Sequence, residues 1–593
     1  FQNARFGFIN DFGSIGYPNE LFIYGNGNGN LSSLADGVSI NNRLSNSPGL
    51  NQFQSESIGS IEIIPSVRGF LFSNMNNSAS VNLISRDPDP RKPYSRLRYY
   101  QGSNSEALLD GIFSFNPFDR LNANLEISNH SSEPNFINSD FSNWSGTARL
   151  RYLLSKKINI IASYRYSKSV IQLNGGVDVD SIRNGFDSSE FNDILYDRLR
   201  APVNYPHRYQ KSAVNDLRLR LLADLSDNSI SDLTFYYQSN LLEFRQNEES
   251  EVSESVIKKI IDNNSDKTAG FNFSQKLKFN FAEVNSYTNF ERSTFNSPLL
   301  DEETLKSSFS QTVAASLNLL GELIRPALFG KFLRYSGENY YGFGADASVR
   351  FSELFILYAG ASSYEKPRSI WEERFILPEL KPGGEKTSSL ELSVSYNDNS
   401  TDASIGYFYR STANALLSTT YTDYPAAERS HFFKAGDVTL SGMNFNVNFK
   451  FWKILLSSNT SIYLPGNRKD FKLPDYSSNG GIYYVDSLFD NNLHLKAGLN
   501  YYSLGERDYI NFDFERNISS AYYHNPAVTA SSILNFPLSS SFQIDFFLAG
   551  TIQERATVYF VFENLLDAQY YIIPHYPNQP RGIRFGISWE FLD

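Results

Sequence analysis

An acidic stretch within residues 174–190 has the oxygen donors that calcium prefers. Asp178, Asp180, Asn184 and Asp187 supply its carboxylate and amide oxygens. A calcium loop of the EF-hand type needs glycine at its sixth position and glutamate at its twelfth, and this stretch has neither. We therefore interpret it as a charged outer loop and expect no cofactor, with calcium binding at 174–190 as the alternative.

Catalytic chemistry finds little support in the other reactive side chains. The six histidines are scattered without the spacing of metal ligands, and the chain has no cysteine. No G-x-S-x-G motif positions a serine nucleophile. The glycine-rich segment 24–30 could cradle a phosphate, but it lacks the Lys-Ser/Thr of a P-loop. We expect a protein that is not an enzyme, with a hydrolase as the alternative.

Tyrosines on polar segments are the main candidates for contact with a ligand or a partner. A tyrosine ring can stack on a sugar or an apolar group while its hydroxyl stays in water. The alternative for the same residues is anchoring at a membrane interface. The candidate contacts are Tyr421, Tyr424, Tyr522, Tyr523, Tyr570, Tyr571 and Tyr576.

Composition gives the first indication of the elements that position these residues. The 593 residues include 48 Phe and 37 Tyr, although 20% of the chain is charged. No window approaches the roughly 18 consecutive apolar residues of a membrane-spanning helix, which excludes a helical membrane protein. The net charge of −11 argues against a nucleic-acid partner.

From about Arg96 onward, apolar and polar residues alternate. The alternating stretches are roughly 8 to 12 residues long, the length of a tilted membrane-spanning strand. In residues 443–451, the odd positions are Met, Phe, Val, Phe and Phe, and the even positions are Asn, Asn, Asn and Lys. Period two with one apolar face predicts half-buried strands.

The lengths of the connections separate a membrane barrel from a soluble sandwich. Short turns that alternate with long connections are typical of outer-membrane barrels. The predicted short turns are 116–120, 155–157, 397–401 and 490–492, and the predicted long connections are 169–213, 241–269, 363–386, 412–439 and 503–540. We expect an all-β membrane protein with a large antiparallel barrel, and a secreted sandwich or propeller is the alternative.

Residues 1–92 differ from the rest of the chain. They contain irregular glycines and two short apolar strands, at 61–65 and 80–84. Residues 93–593 divide into roughly 20 to 24 strands, and a barrel of this width is expected to hold a plug. The sequence therefore predicts a small N-terminal α+β plug domain at 1–92 in the lumen of a barrel at 93–593.

Motifs at both ends of the chain resemble those of the TonB-dependent outer-membrane receptors. The segments that carry the resemblance are 34–40, 57–64, 67–69 and 80–86 in the plug, and 380–385, 562–571, 576–581 and 584–591 in the barrel. The resemblance implies a barrel of about 22 strands in the bacterial outer membrane. It also implies a plug motif that consists of Asp36, Gly37, Glu62, Arg68 and Gly69.

The resemblance implies uptake of a large ligand, such as a siderophore, a cobalamin, a glycan or a peptide. The expected partners are outer-membrane lipid and an inner-membrane TonB complex. Arg68 and Glu62 are expected inside the lumen, where wall groups of opposite charge would pair with them. Counting by two along the last strand places Arg584 and Glu590 on its inward face.

Departures from the family pattern support an alternative function. No segment like a TonB box precedes the plug, the plug is short, and Tyr24 stands where the family has arginine. The alternative is a structural or docking barrel that holds a surface lipoprotein or another envelope protein without energised transport. A passive pore is a third interpretation, which a plug disfavours.

Overall fold

The computed structural model describes residues 4–50, 53–86, 92–103, 105–134, 136–226, 228–251, 258–376, 384–423, 427–508, 510–523 and 537–592. Most of these residues lie in β-strands. The α-helices among them are α1 (Val179–Gly185), α2 (Phe191–Leu195) and α3 (Ile370–Arg374), all in connections between strands. Within the described ranges, no helix has the length and apolar character needed to cross a membrane.

The first part of the chain forms a small mixed domain, the plug. Its strands are β1 (Gly7–Asn10), β2 (Glu20–Ile23), β3 (Leu31–Ala35), β4 (Val38–Ser39), β5 (Ile58–Ile63) and β6 (Ala79–Ser85). β1 and β2 form a hairpin, and the other four strands form a sheet in the order β4-β3-β6-β5 in which β3 and β6 are parallel. The helical turns at Ser55–Ser57 and Ser66–Leu71 are 3-10 helices.

The barrel wall and its connections follow. The strands are β7 (Tyr94–Gln101), β8 (Ala107–Phe118), β9 (Leu121–Ser132), β10 (Phe141–Ser155), β11 (Ile158–Gln172), β12 (Arg208–Ser226), β13 (Ser229–Gln246), β14 (Ile260–Lys278), β15 (Ala282–Asn296), β16 (Thr304–Leu317), β17 (Ile324–Tyr335), β18 (Glu338–Arg350), β19 (Phe355–Lys366), β20 (Glu385–Asn397), β21 (Thr401–Asp423), β22 (Ala427–Phe451), β23 (Ile454–Tyr463), β24 (Tyr476–Leu488), β25 (Leu493–Leu504), β26 (Arg507–Asp508), β27 (Asn511–Asp513), β28 (Ile518–Ser520), β29 (Tyr522–Tyr523), β30 (Pro537–Leu538), β31 (Ser541–Ile552), β32 (Ala556–Glu563), β33 (Tyr571–Ile573), β34 (Tyr576–Pro577) and β35 (Gly582–Leu592).

The wall is a closed antiparallel barrel of 22 strands. Each wall strand pairs with the next along the chain, and β25 pairs with β31 across the connection that holds β26 to β30. The first wall strand closes the barrel on the last, with Gln101 opposite Phe585 and Tyr94 opposite Leu592. Closure satisfies the backbone hydrogen bonds of every wall strand, as a bilayer requires.

The two faces of the wall differ as period-two counting predicts. On β22, Phe445 and Val447 are 36% and 42% exposed on the outer face, whereas Asn444 is buried on the lumen side. On β35, exposed Phe585 alternates with Arg584, whose guanidinium pairs with Glu106 inside the barrel. The outer face is thus an apolar band suited to lipid, and the inner face is polar.

The two ends of the barrel differ in the lengths of their connections. The short turns predicted from the sequence join consecutive strands at one end, as between β20 and β21. At the other end, the connections between β11 and β12 and between β25 and β31 are long.

The long connection predicted at 412–439 is wrong. β21 and β22 stay paired along this segment, from Thr401 opposite Phe449 to Asp423 opposite Ala427. Asn414 and Gly436, which favour turns, have positive φ angles of 55° and 83° and lie at an irregularity of the ladder. A bulge therefore absorbs the turn-forming residues while the hairpin continues beyond the wall.

The plug is held by side chains of the wall on several sides. The Phe6 ring packs edge-on against Phe408 of β21, with 4.6 Å between ring centroids. The Phe70 ring stacks on Tyr364 of β19, also at 4.6 Å. Because these four rings are almost fully buried, apolar contact as well as charge keeps the plug in the lumen.

Candidate functional site

A cavity of about 440 Å³ separates the first plug residues from the barrel wall. Residues between Gly7 and Asn19 form its plug side. Its wall side consists of β24, β25, β31, β32 and β35, at the ends that adjoin the long connections. Ligand pockets in proteins commonly measure roughly 300–1,000 Å³, so the volume of this cavity lies in the range of ligand pockets.

Three consecutive strands place polar side chains at one level of this cavity. Tyr502 of β25 lies opposite Asn479 of β24 and Gln543 of β31 in the ladder. Directly opposed residues of a sheet share a face, so all three side chains face the lumen. The wall therefore offers a hydroxyl and two amides to a ligand.

Carboxylates outnumber guanidinium groups in the cavity lining. Asp11 accepts hydrogen bonds from the Gly13 N–H at 2.8 Å and the Asn19 amide at 3.1 Å, and burial raises the pKa of Asp11. Asp545 and Glu563 also line the cavity, and Arg584 is its guanidinium, 3.2 Å from Glu563. This balance suits neutral or cationic polar groups better than anions.

Tyr570 is the predicted contact residue that the structure places in the cavity lining. Its hydroxyl donates to the Gln543 side chain at 2.6 Å and accepts from the Asn578 amide at 2.5 Å. Burial raises the pKa of Tyr570 above its ordinary value, and nearby Asp11 and Asp545 add to the shift. The residue thus ties the connection between β32 and β35 to the wall beside the cavity.

Tyr571 and Tyr576 have other neighbours. The Tyr571 ring lies 5.4 Å from that of Tyr196, between two outer connections. The Tyr576 ring packs edge-on against Phe12 of the plug at 4.8 Å. Gly13 has a φ of +68°, and a Cβ there would lie 2.7 Å from the Pro577 carbonyl oxygen. This outer connection therefore covers the plug closely at Gly13.

The remaining predicted tyrosines lie where the structure describes no side chains. Tyr421 belongs to β21, and Tyr522 and Tyr523 form β29, which adds in parallel to the end of β21. Tyr424 lies outside the described residues. Their contact with a ligand or partner stays a prediction.

Asp36 and Gly37 form the tight turn between β3 and β4, with φ angles of 48° and 80°. The Asp36 carboxylate accepts from the Ser85 N–H at 2.9 Å and the Ser85 hydroxyl at 2.6 Å, and Arg149 of the wall lies 3.2 Å away. Burial acts to raise the pKa of Asp36, but Arg149 and Arg218 together with the Ser85 hydrogen bonds lower it below its ordinary value. The turn is therefore an anionic contact between plug and wall.

Arg68 makes a two-pronged ion pair with Asp346 of β18. The distances from its Nε and Nη2 atoms to the two carboxylate oxygens are 2.5 and 2.7 Å. Tyr358 also donates to Asp346 at 2.9 Å. A Cβ at Gly69 would lie 2.5 Å from the Ser78 carbonyl oxygen, so glycine is required beside Arg68.

Glu62 lies on the exposed strand β5. Its carboxylate accepts a hydrogen bond from the Asn82 amide of the neighbouring plug strand at 3.0 Å. We expected Glu62 to pair with a wall group of opposite charge, but its hydrogen-bond partner lies within the plug. Asn82 stands directly opposite Glu62 on the neighbouring strand β6, which places its amide next to the carboxylate.

The acidic stretch 174–190 has a local structural role. Asp178 caps helix α1 by accepting from the Ser181 N–H at 3.0 Å, and Asp180 lies 3.6 Å from Arg183 on the same helix. Among the described residues, no group of three or more His, Asp or Glu side chains could hold a metal ion.

Comparison with known proteins reveals similarity to receptors and transporters. A family model described as "Putative porin" matches residues 384–593. The siderophore receptor PirA from Acinetobacter baumannii is 13% identical with a TM-score of 0.76, over 100% of this chain and 95% of that one. The FrpB iron transporter (F3-3 variant) from Neisseria meningitidis is 12% identical with a TM-score of 0.74, over 100% and 96%.

The copper transporter OprC superimposes with a TM-score of 0.78 at 11% identity, over 99% of this chain and 94% of that one. No curated protein sequence matches this chain. The fold is that of the TonB-dependent outer-membrane receptors. The chain is accordingly a 22-stranded β-barrel of this fold.

Two further contacts between plug and wall of this receptor fold were not predicted from the sequence. Tyr24 donates to Glu391 of β20 at 2.8 Å, and the same carboxylate accepts from the Ser66 N–H at 2.7 Å. Arg43 lies 2.7 Å from Glu291 of β15. The sequence drew attention to Tyr24, because the resembling family has arginine at this position. Nothing in the sequence identified Glu391 as the partner of Tyr24.

Arg68→Ala is expected to loosen the plug without preventing assembly of the barrel. The change leaves Asp346, whose side chain is only 4% exposed, without its main cation, and unpaired buried charge is costly. We expect more frequent channel openings in planar lipid bilayers and faster entry of a large antibiotic such as vancomycin.

Asp346→Ala should give the same leak, because it removes the other half of the ion pair. Arg183→Ala changes an exposed arginine of α1 and serves as the control. This role of the ion pair would be contradicted by an Arg68→Ala protein whose channel openings and antibiotic entry equal those of the wild type, or by one that does not assemble.

Proposed function

We propose that this chain is an outer-membrane receptor and transporter that takes up a large polar ligand and is coupled to an inner-membrane TonB complex. The ligand binds in the 440 Å³ cavity between plug and outer connections, and displacement of the plug then opens the lumen. The observation that carries this proposal is a polar cavity whose floor is the plug itself. A ligand bound in this cavity contacts the plug, which must be displaced for transport.

The cavity chemistry narrows the class of ligand. Amides, tyrosine hydroxyls and an excess of carboxylates favour hydroxyl-rich or cationic groups, as in glycans and peptides, over the anionic groups of many metal chelators. Both favoured classes can use the Tyr502 and Tyr570 rings for stacking and their hydroxyls for hydrogen bonds.

The contacts of the plug argue against a passive pore, despite the match of residues 384–593 to the porin family model. The Arg68–Asp346 pair and the Tyr24–Glu391 hydrogen bond hold the plug on the wall at separate strands. Diffusion of a large solute would require both contacts to open. A gated transporter explains why the lumen contains such contacts.

Growth on defined nutrients tests the proposal. Strains that lack this chain, or lack TonB, are grown with single iron chelates, cobalamin, glycans or peptides as the limiting nutrient. We expect both strains to lose growth on the same nutrient. Asn479→Trp, which fills the cavity from the wall, should cause the same loss, whereas Asn446→Trp on the lumen face of β22 should not.

Other results would overturn the proposal. If loss of the chain leaves growth unchanged on every nutrient but releases an envelope protein that co-purifies with it, docking is the function. If growth is lost without this chain but not without TonB, transport is not energised through TonB.

A further inference from the structure

A second cavity, of about 150 Å³, lies on the other side of the plug. Asp36 and Ser85 of the plug form one side of it. The other side is the lumen face of β10 to β13, nearer to the end of the barrel with short turns. We call this the arginine cleft, because Arg149, Arg218 and Arg220 line it.

The strand register explains how arginines come to flank the cleft. Ser163 of β11 lies opposite Arg149 of β10 on one side and opposite Arg218 of β12 on the other. Neighbouring strands are about 4.8 Å apart, so the two arginines stand roughly 10 Å from each other with a small residue between them. The next row toward the short turns repeats the pattern, with Ile161 between Arg151 and Arg220.

Guanidinium groups outnumber carboxylates in the ion pairs around the cleft. Asp216 is shared by Arg218 at 2.6 Å and Arg165 at 2.7 Å. Arg220 pairs with Asp232 at 2.6 Å.

The carboxylate that lines the arginine cleft is Asp36, 3.2 Å from Arg149. Within these ion pairs, the four guanidinium groups of Arg149, Arg165, Arg218 and Arg220 share three carboxylates, so positive charge exceeds negative charge by one. At the far edge, a neighbouring cavity of about 50 Å³ adds Arg86 and Glu126 to the lining.

The floor of the cleft offers hydroxyl groups. Ser163 and Thr234 of the wall line it alongside the arginines. Guanidinium groups on two sides, the Ser163 hydroxyl between them and the Thr234 hydroxyl beside Arg220 match the acceptor oxygens of a tetrahedral oxyanion. The volume is sufficient for such an ion with several water molecules.

We propose that the arginine cleft binds a small oxyanion of the phosphate class and that this ion competes with Asp36 for Arg149. Occupancy of the cleft then weakens the ionic contact of the Asp36 turn with the wall. The proposal concerns a site apart from the ligand cavity and does not depend on transport.

The Asp36 turn keeps other contacts when its carboxylate is displaced. Arg218 donates to the Ala35 carbonyl at 2.5 Å, and Asn272 and Tyr287 donate to the Gly37 carbonyl at 2.8 and 3.1 Å. Because these contacts use backbone oxygens, an oxyanion at Arg149 leaves them in place. The plug therefore stays folded while its ionic contact changes.

Phosphate binding to the detergent-solubilised full chain, measured by isothermal titration calorimetry, tests the site. We expect one phosphate per chain, and Arg149→Gln or Arg220→Gln should weaken binding roughly tenfold, the value of one charged hydrogen bond. Asp36→Asn should tighten binding, because it removes the competing carboxylate, and asparagine also tolerates the left-handed turn.

Controls separate this role from general loosening of the plug. Arg68→Ala breaks a plug contact on another part of the wall and should leave phosphate affinity unchanged. Heat-modifiable migration on gels confirms that each variant is a folded barrel. Absence of phosphate binding, or weaker binding in Asp36→Asn, would overturn the proposal.

Glycerol 3-phosphate distinguishes two sources of the oxyanion. Equal competition with phosphate would indicate that the cleft accepts the phosphate group of a larger molecule. Absence of competition would restrict the site to the free ion.

Discussion

Deletion of residues 1–92 is expected to convert a closed barrel into a wide channel. Wall strands are hydrogen-bonded to each other and close through β7 and β35, so the wall does not need the plug to assemble. A 22-stranded wall encloses a lumen that is normally plugged, and we expect its conductance to rise at least about tenfold when the plug is absent. Conductance in planar lipid bilayers measures the change.

The wall carboxylates that contact the plug explain why the empty barrel should remain folded. Asp346, Glu391 and Glu291 face the lumen, which fills with water when the plug is removed. Hydrated carboxylates cost little, whereas carboxylates left unpaired in a dry interface cost much. Arg68→Ala should therefore give a conductance between those of the full chain and the deletion. A deletion protein that does not insert, or that conducts no better than the full chain, would contradict this account.

The wall of the barrel could be predicted from the sequence because its signal is local. Period two along each strand assigns the lumen and lipid faces, and connection length assigns the two ends, as β20, β21 and the turn between them illustrate. The hairpin at 412–439 was mispredicted because Asn414 and Gly436 give the same local signal in a bulge as in a loop.

Contacts between plug and wall could not be predicted because they join distant parts of the chain. Arg68 and Asp346 are 278 residues apart, and Ser66 and Glu391 are 325 apart. Their meeting depends on the register of every intervening strand and on the orientation of the plug. Inward-facing charges could be recognised on each strand, but their partners could not.

For the same reason, only part of the lining of the ligand cavity could be predicted from the sequence. Tyr570 was identified as an aromatic residue on a polar connection, and it lines the cavity. Tyr576 gave the same signal but packs on Phe12 of the plug. The two tyrosines differ because the cavity forms where the first plug residues meet the last wall strands. No local sequence pattern encodes this meeting of distant segments.

Phe445→Arg is expected to destabilise the barrel by about 2–4 kcal/mol, the cost of an arginine on the lipid face near the middle of a bilayer. Phe445 is 36% exposed on the outer face of β22, six residues before the strand ends at Phe451. With a rise of about 3.3 Å per residue and a tilt near 40°, it stands roughly 15 Å from that end, close to mid-depth.

Asn446→Arg is the matched control because the neighbouring position points into the lumen. The paired residues of Asn446 are Ser404 on β21 and Asn459 on β23, both polar. An arginine there reaches water and wall polar groups, so its effect on the free energy of unfolding should be small. Urea unfolding of the two variants in lipid vesicles measures the difference. Equal destabilisation would mean that the two faces of β22 are wrongly assigned, whereas a cost confined to Phe445→Arg follows directly from lipid on one face and water on the other.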